Sequence, residues 1–70
     1  MSEMIPVASS NLSAVGYDAE THELTVEFKS GLSYVYSGVD QTGYDDLVGA
    51  GSIGSHFNRW IKNIYPARRT

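Results

Sequence analysis

The chain has 70 residues, a formal net charge of −3 and no cysteine. A chain of this length makes one domain, residues 1–70, and buries only about 60% of its unfolded surface, which leaves little room for a deep catalytic cleft. The missing cysteines exclude disulfides, thiolate nucleophiles and cysteine-based metal sites. No apolar run approaches the roughly 20 residues needed to cross a bilayer. The N-terminus also lacks a basic-then-apolar signal pattern, so a soluble cytoplasmic protein with no membrane partner is expected.

Residues 1–6 are expected to fray, with Pro6 tolerated only at a sheet edge or a strand start. Val7-Ala8 can add a short edge strand. Leu12 to Tyr17 reads as a strand, with a bulge or close approach at Gly16. Asp18-Ala19-Glu20-Thr21 reads as a turn in which Asp18 bonds its own backbone two residues on. From His22 to Lys29 the alternation is clean, with Leu24, Val26 and Phe28 on one face and Glu23, Thr25, Glu27 and Lys29 on the other.

The stretch Gly31-Leu32-Ser33-Tyr34-Val35-Tyr36-Ser37-Gly38 continues into a second strand, and two hairpin registers compete. A two-residue turn at Ser30-Gly31 sets Phe28 opposite Ser33 and puts Tyr34 and Tyr36 on the polar face. A three-residue loop, Lys29-Ser30-Gly31, with Gly31 left-handed, sets Phe28 opposite Leu32, Val26 opposite Tyr34 and Leu24 opposite Tyr36. Only the second gathers the apolar residues on one face, so it is the register expected, and both tyrosines then belong to the core.

Asp40 is a good N-cap for a helix carrying Tyr44, Leu47 and Val48. Gly49-Ala50-Gly51 ends that helix. Ser52 can cap a second, whose stripe of Ile53, Phe57, Trp60, Ile61 and Ile64 runs at helical period until Pro66 stops it. Ala67-Arg68-Arg69-Thr70 is left as a basic tail, residues 66–70. The fold class is therefore α+β: a small antiparallel meander of three strands, four if Val7-Ala8 pairs, with two C-terminal helices on one face. Phe28, Tyr34, Tyr36, Phe57, Trp60 and Ile61 are the expected core signature.

Few residues point to chemistry. Gly49-Ala50-Gly51-Ser52-Ile53-Gly54 matches G-x-G-x-x-G, but a helix precedes it and no acid follows, so it is read as a helix–helix connection and not a dinucleotide fingerprint. His22 and His56 lie far apart in the chain, and no zinc-like spacing occurs. Asp45 and Asp46 are adjacent and diverge on a helix. Ser52 and His56 lack a third group to orient the histidine. No enzyme activity, cofactor or metal is expected.

Charge is more informative. All eight acids lie within the first 46 residues, where Lys29 is the one base; from residue 47 on there are Arg59, Lys62, Arg68 and Arg69 and no acid. Four cations near Tyr65 form a candidate RNA or DNA footprint, with phosphate contacts from the cations and stacking on Tyr65 and Tyr36. Two blander readings stand beside it: a solvated helix face with a basic tail, and a domain that gains stability from a protein partner or as a homodimer.

Ser9-Ser10, Tyr17-Asp18, Leu24-x-Val26-x-Phe28, Gly31, Tyr34-x-Tyr36, Val39, Tyr44, Leu47, Ala50-x-Ser52-x-Gly54, Phe57-Asn58, Ile61 and Tyr65 together resemble the KTSC domain. This small domain is named after a C-terminal extension of some lysyl-tRNA synthetases, and it also occurs alone in bacterial or phage proteins. The resemblance covers about residues 7–65 and has Tyr34-x-Tyr36 as its centre. It implies no particular catalytic activity and, by the synthetase context, RNA binding. Asp40 stands where similar sequences often carry proline, which alters the helix start and not the core.

Overall fold

A computed structural model describes residues 4–70. Strands β1 (Ile5–Pro6), β2 (Leu12–Asp18), β3 (Glu23–Phe28) and β4 (Ser33–Ser37) precede helices α1 (Gln41–Val48) and α2 (Ile53–Trp60), and β5 (Ala67–Arg69) follows them. All strand pairs are antiparallel, and the sheet has five strands in the order β1-β2-β3-β4-β5.

The β3–β4 register is the bulged one. Leu24 lies opposite Tyr36 and Val26 opposite Tyr34. The Phe28 amide donates to the Leu32 carbonyl at 2.8 Å, the Gly31 amide donates back to Phe28 at 2.9 Å, and Gly31 has φ +96°. A Cβ at Gly31 would meet no atom within 4 Å, so any penalty for a side chain there comes from backbone strain alone. Gly31→Val is expected to cost about 1–3 kcal/mol, and Gly31→Asn less, because asparagine tolerates this region. Urea denaturation of the two variants checks this; equal stability would place the hairpin in another register.

A bulge in β2 falls at Ser13 rather than at Gly16. Leu12 pairs with Phe28 and Ala14 with Glu27, leaving Ser13 as the extra residue. The slip turns Leu12 inward while Ala14 stays outward. Leu12 and Val15 are both buried, at 1% and 0% exposure, although their spacing of three does not suit a flat strand.

The apolar face of the sheet meets both helices in a core of Leu12, Val15, Leu24, Val26, Tyr36, Val39, Leu47, Phe57 and Ile61. Phe57 is its hub: its ring stands edge-on to Tyr36 at 5.2 Å and to Phe28 at 5.6 Å. Asp40 caps α1 as expected, its Oδ1 accepting the Gly43 amide at 2.8 Å. Tyr44 on α1 then stacks on Tyr17 with centroids 5.0 Å apart. The Tyr17 hydroxyl donates to the Val39 carbonyl at 2.6 Å. Partial burial, then the nearby Asp40 carboxylate, pushes the Tyr17 phenol above its ordinary pKa, which keeps it a donor. The Asp18 turn also forms, its Oδ1 accepting the Glu20 amide.

Several expectations are corrected. The short N-terminal strand is Ile5–Pro6 and not Val7-Ala8, so residues 5–6 are paired rather than frayed; residues 1–3 lie outside the described residues. Ser52 occupies the N-cap position of α2, but its side chain makes no capping hydrogen bond. The 66–70 tail is no tail. α2 ends at Trp60, the chain turns through Ile61, and Pro66 starts an extended segment that pairs with β4. The reason is that β4 presents an open edge: its Ser37 amide donates to the Pro66 carbonyl and its Ser33 carbonyl accepts the Thr70 amide, both at 3.0 Å. Trp60 is not core but 53% exposed, and Ile64 is 56% exposed. Ile53, Phe57 and Ile61 recur at four-residue steps, and Phe57 and Ile61 are the fully buried pair. Trp60 is the last residue of α2 and lies beside that line, where it shares a hollow with Gly43 and Asp46 of α1 rather than with the sheet.

Candidate nucleic-acid interface

The helices leave one end of the apolar sheet face uncovered. A groove of about 500 Å³ opens there, with Tyr36 of β4 as its floor, Tyr34 beside it, and Phe28 and Leu32 of the hairpin completing that part of the lining. Its walls are Ala67 of β5 and the segment after α2, which contributes Lys62 and Tyr65. That segment is held by two tight turns: the Lys62 amide donates to the Phe57 carbonyl at 2.9 Å, and the Tyr65 amide to the Ile61 carbonyl at 3.1 Å. The volume lies within the range of about 300–1,000 Å³ typical of ligand pockets.

A second hollow of about 350 Å³ adjoins the first and shares Phe28, Ser30 and Lys62 with it. Its lining mixes Leu12, Phe28 and Phe57 with polar residues, and Lys29, Asn11, Asn58 and Lys62 all contribute to it. They come together because the Lys29 amide donates to the Asn11 carbonyl at 2.9 Å, tying the end of β3 to the start of β2 beside α2. Together the two neighbouring hollows make up the cleft: the first is largely aromatic with Lys62 at its wall, and the second adds Lys29.

The residues expected to contact nucleic acid do not all converge on it. Lys62, Tyr65 and Tyr36 line the cleft. Tyr36 is only 4% exposed, so it forms floor rather than a free stacking face. Burial, and secondarily its neighbour Tyr34, raise its phenol pKa. Arg69 pairs with Tyr34 and therefore projects on the cleft's side of the sheet. Arg68 pairs with Val35 and projects on the opposite side. There it bonds Glu23 at 2.9 Å, an exposed contact worth about 0–1 kcal/mol. Arg59 is exposed on α2 and lines a separate hollow beside Trp60. The strand alternation of β5 thus splits adjacent arginines that a flexible tail could have presented together.

Lys29 is the residue that the chain order hides. It belongs to the acidic half, and only the packing of the hairpin against α2 brings it to Lys62. Tyr34 likewise enters the cleft as a half-buried wall, in edge contact with Phe28 at 5.8 Å. Among the described residues there is no group of three or more potential metal ligands, and none of their helices is long and apolar enough to cross a membrane.

Comparison with known proteins agrees with this architecture. The chain is similar to an uncharacterised protein of Stutzerimonas stutzeri, 41% identical over 58 residues, spanning 83% of this chain and 82% of that one. It is 43% identical over 49 residues to a lysine–tRNA ligase of Nostoc punctiforme, covering 70% of this chain but 9% of the ligase. Among solved structures, the crystal structure of a KTSC domain protein from Yersinia pestis matches with a TM-score of 0.94 at 30% identity, covering 100% of this chain and 99% of that one. The KTSC domain model matches residues 8–65, and with a match of that extent the chain belongs to the KTSC domain family.

Proposed function

We propose that this domain is a non-enzymatic module that binds single-stranded RNA weakly through the cleft. The observation that carries the reading is the junction of the aromatic groove with the hollow shared by Lys29 and Lys62. Cations for phosphate beside aromatic surface for an unpaired base is the arrangement that single strands select. The relative named as a lysine–tRNA ligase adds support, since a segment like this one is built into a protein that acts on tRNA. The overall charge of −3 opposes polyanions, so affinity is low and depends steeply on salt.

The footprint is narrower than the basic C-terminal third. Lys62, Lys29 and Arg69 serve phosphates, and Tyr65 and Tyr34 flank the base over a floor of Tyr36. Arg59 and Arg68 point elsewhere. Fluorescence anisotropy with labelled single-stranded RNA at low and physiological salt tests this. Lys29→Ala with Lys62→Ala is expected to weaken binding at least about tenfold and to flatten the salt slope by about 0.7 per lysine removed, the value for single strands. Arg59→Ala and Arg68→Ala should change affinity less than about threefold. Absence of binding at low salt, or an unchanged double variant, rejects the proposal.

A further inference from the structure

The outer face of α2 carries a feature that RNA binding does not use. Trp60 and Ile64 are the most exposed large apolar side chains among the described residues, at 53% and 56%. The His56 and Trp60 rings, 6.5 Å apart, form a ridge. They line a hollow on each side of it. The first, of about 330 Å³, is mostly apolar, formed by Ile61, Ile64 and Tyr65 with Asp46 of α1 at its edge. The second, of about 230 Å³, is lined by Ser52, Ser55 and Arg59. An acid therefore stands on one side of the Trp60 ridge and a base on the other.

We infer that this face binds a second copy of the same chain about a two-fold axis. A two-fold contact is self-complementary: whatever residue i touches on the partner, the partner's residue i touches here. A ridge flanked by two hollows of opposite charge satisfies that condition. Trp60 of each copy enters the apolar hollow of the other, and Asp46 of each meets Arg59 of the other. RNA does not suit the face, because Asp46, with Asp45 next to it, repels phosphate. A partner charged with one sign throughout gains at one hollow and loses at the other. A stable interface needs roughly 800 Å² from each partner, a large share of the 4321 Å² accessible surface of this domain. One ridge and two hollows supply part of that, so the dimer is weak and forms in the micromolar to millimolar range.

Sedimentation equilibrium of the full chain from micromolar to millimolar concentration reads the association directly. Trp60→Ala is expected to weaken it at least about tenfold, as truncation of a central aromatic anchor does, with circular dichroism unchanged. Asp46→Lys and Arg59→Glu should each weaken self-association severalfold, since each sets like charges together twice across the axis. Mixing the two single variants should restore a dimer, because each cross-contact then pairs opposite charges. A wild-type chain that stays monomeric throughout, a Trp60→Ala chain that associates as well as wild type, or variants that fail to pair on mixing would overturn the inference. Tyr65 lines both this hollow and the RNA cleft, but Trp60 variants report on association and Lys62 variants on RNA, so one reading can fail without the other.

Discussion

Replacing Phe57 with alanine is expected to remove about 3–5 kcal/mol of stability. Phe57 is 1% exposed and is the one ring in edge contact with both Phe28 and Tyr36. Its loss opens a cavity where three elements meet, and neither the sheet nor the short α2 can close over it without breaking register. Domains hold about 0.05–0.15 kcal/mol per residue, so a chain of 70 residues has little left after such a loss. The measurement is urea denaturation followed by circular dichroism; Trp60 emission is a poor reporter because that side chain is already half in water. Trp60→Ala is the control and should stay within about 0.5 kcal/mol of wild type, as substitutions at exposed sites do. A Phe57→Ala loss below about 1 kcal/mol, or a Trp60→Ala loss as large as that of Phe57→Ala, would mean that the core is organised around the other ring.

Ending the chain at Pro66 is the second large effect. It deletes β5, and with it the Thr70 amide bond to the Ser33 carbonyl and the ladder opposite Tyr34, Val35 and Tyr36. Each hydrogen bond contributes about 0.5–1.5 kcal/mol net, so the truncation is expected to cost about 2–4 kcal/mol. β4 would then be an open edge with Tyr34 and Tyr36 uncovered on one side, which adds a tendency to aggregate. The Arg68–Glu23 pair is too exposed to account for such a loss, so Arg68→Ala should reproduce almost none of it. Hydrogen exchange at the Val35 amide, which faces β5, compared with the Tyr34 and Tyr36 amides, which face β3, would locate the effect. A truncated chain as stable as the full one would show that residues 67–70 do not hold the edge.

The two effects also separate what the chain announces locally from what it does not. The hairpin register could be read from residues 24–36 because a one-residue slip mixes apolar and polar side chains on both faces, and Gly31 supplies the left-handed turn. The Asp40 cap, the turn at Asp18, the burial of Phe57, Ile61 and Tyr36 and the KTSC signature were legible for the same reason: each depends on neighbours within a few residues or on a continuous pattern. Lys62, Tyr65 and Tyr36 were legible as candidates from residue type, but their convergence was not.

Tertiary structure decided the rest. Three residues after a proline carry no strand signal of their own, and β5 exists because β4 has a free edge within reach. A helical stripe states which side of α2 is apolar but not where the helix stops or what covers its flank, so Trp60, the last helical residue, and Ile64, beyond it, stay exposed. The Ser13 bulge is an accommodation between β2 and β3, invisible in either strand alone. Chain order sets Lys29 among the acids and Arg68 beside Arg69; packing carries Lys29 to Lys62, and strand alternation sends the two arginines to opposite faces. Position along the chain states a charge, and only the fold determines which other charges and rings share its surface.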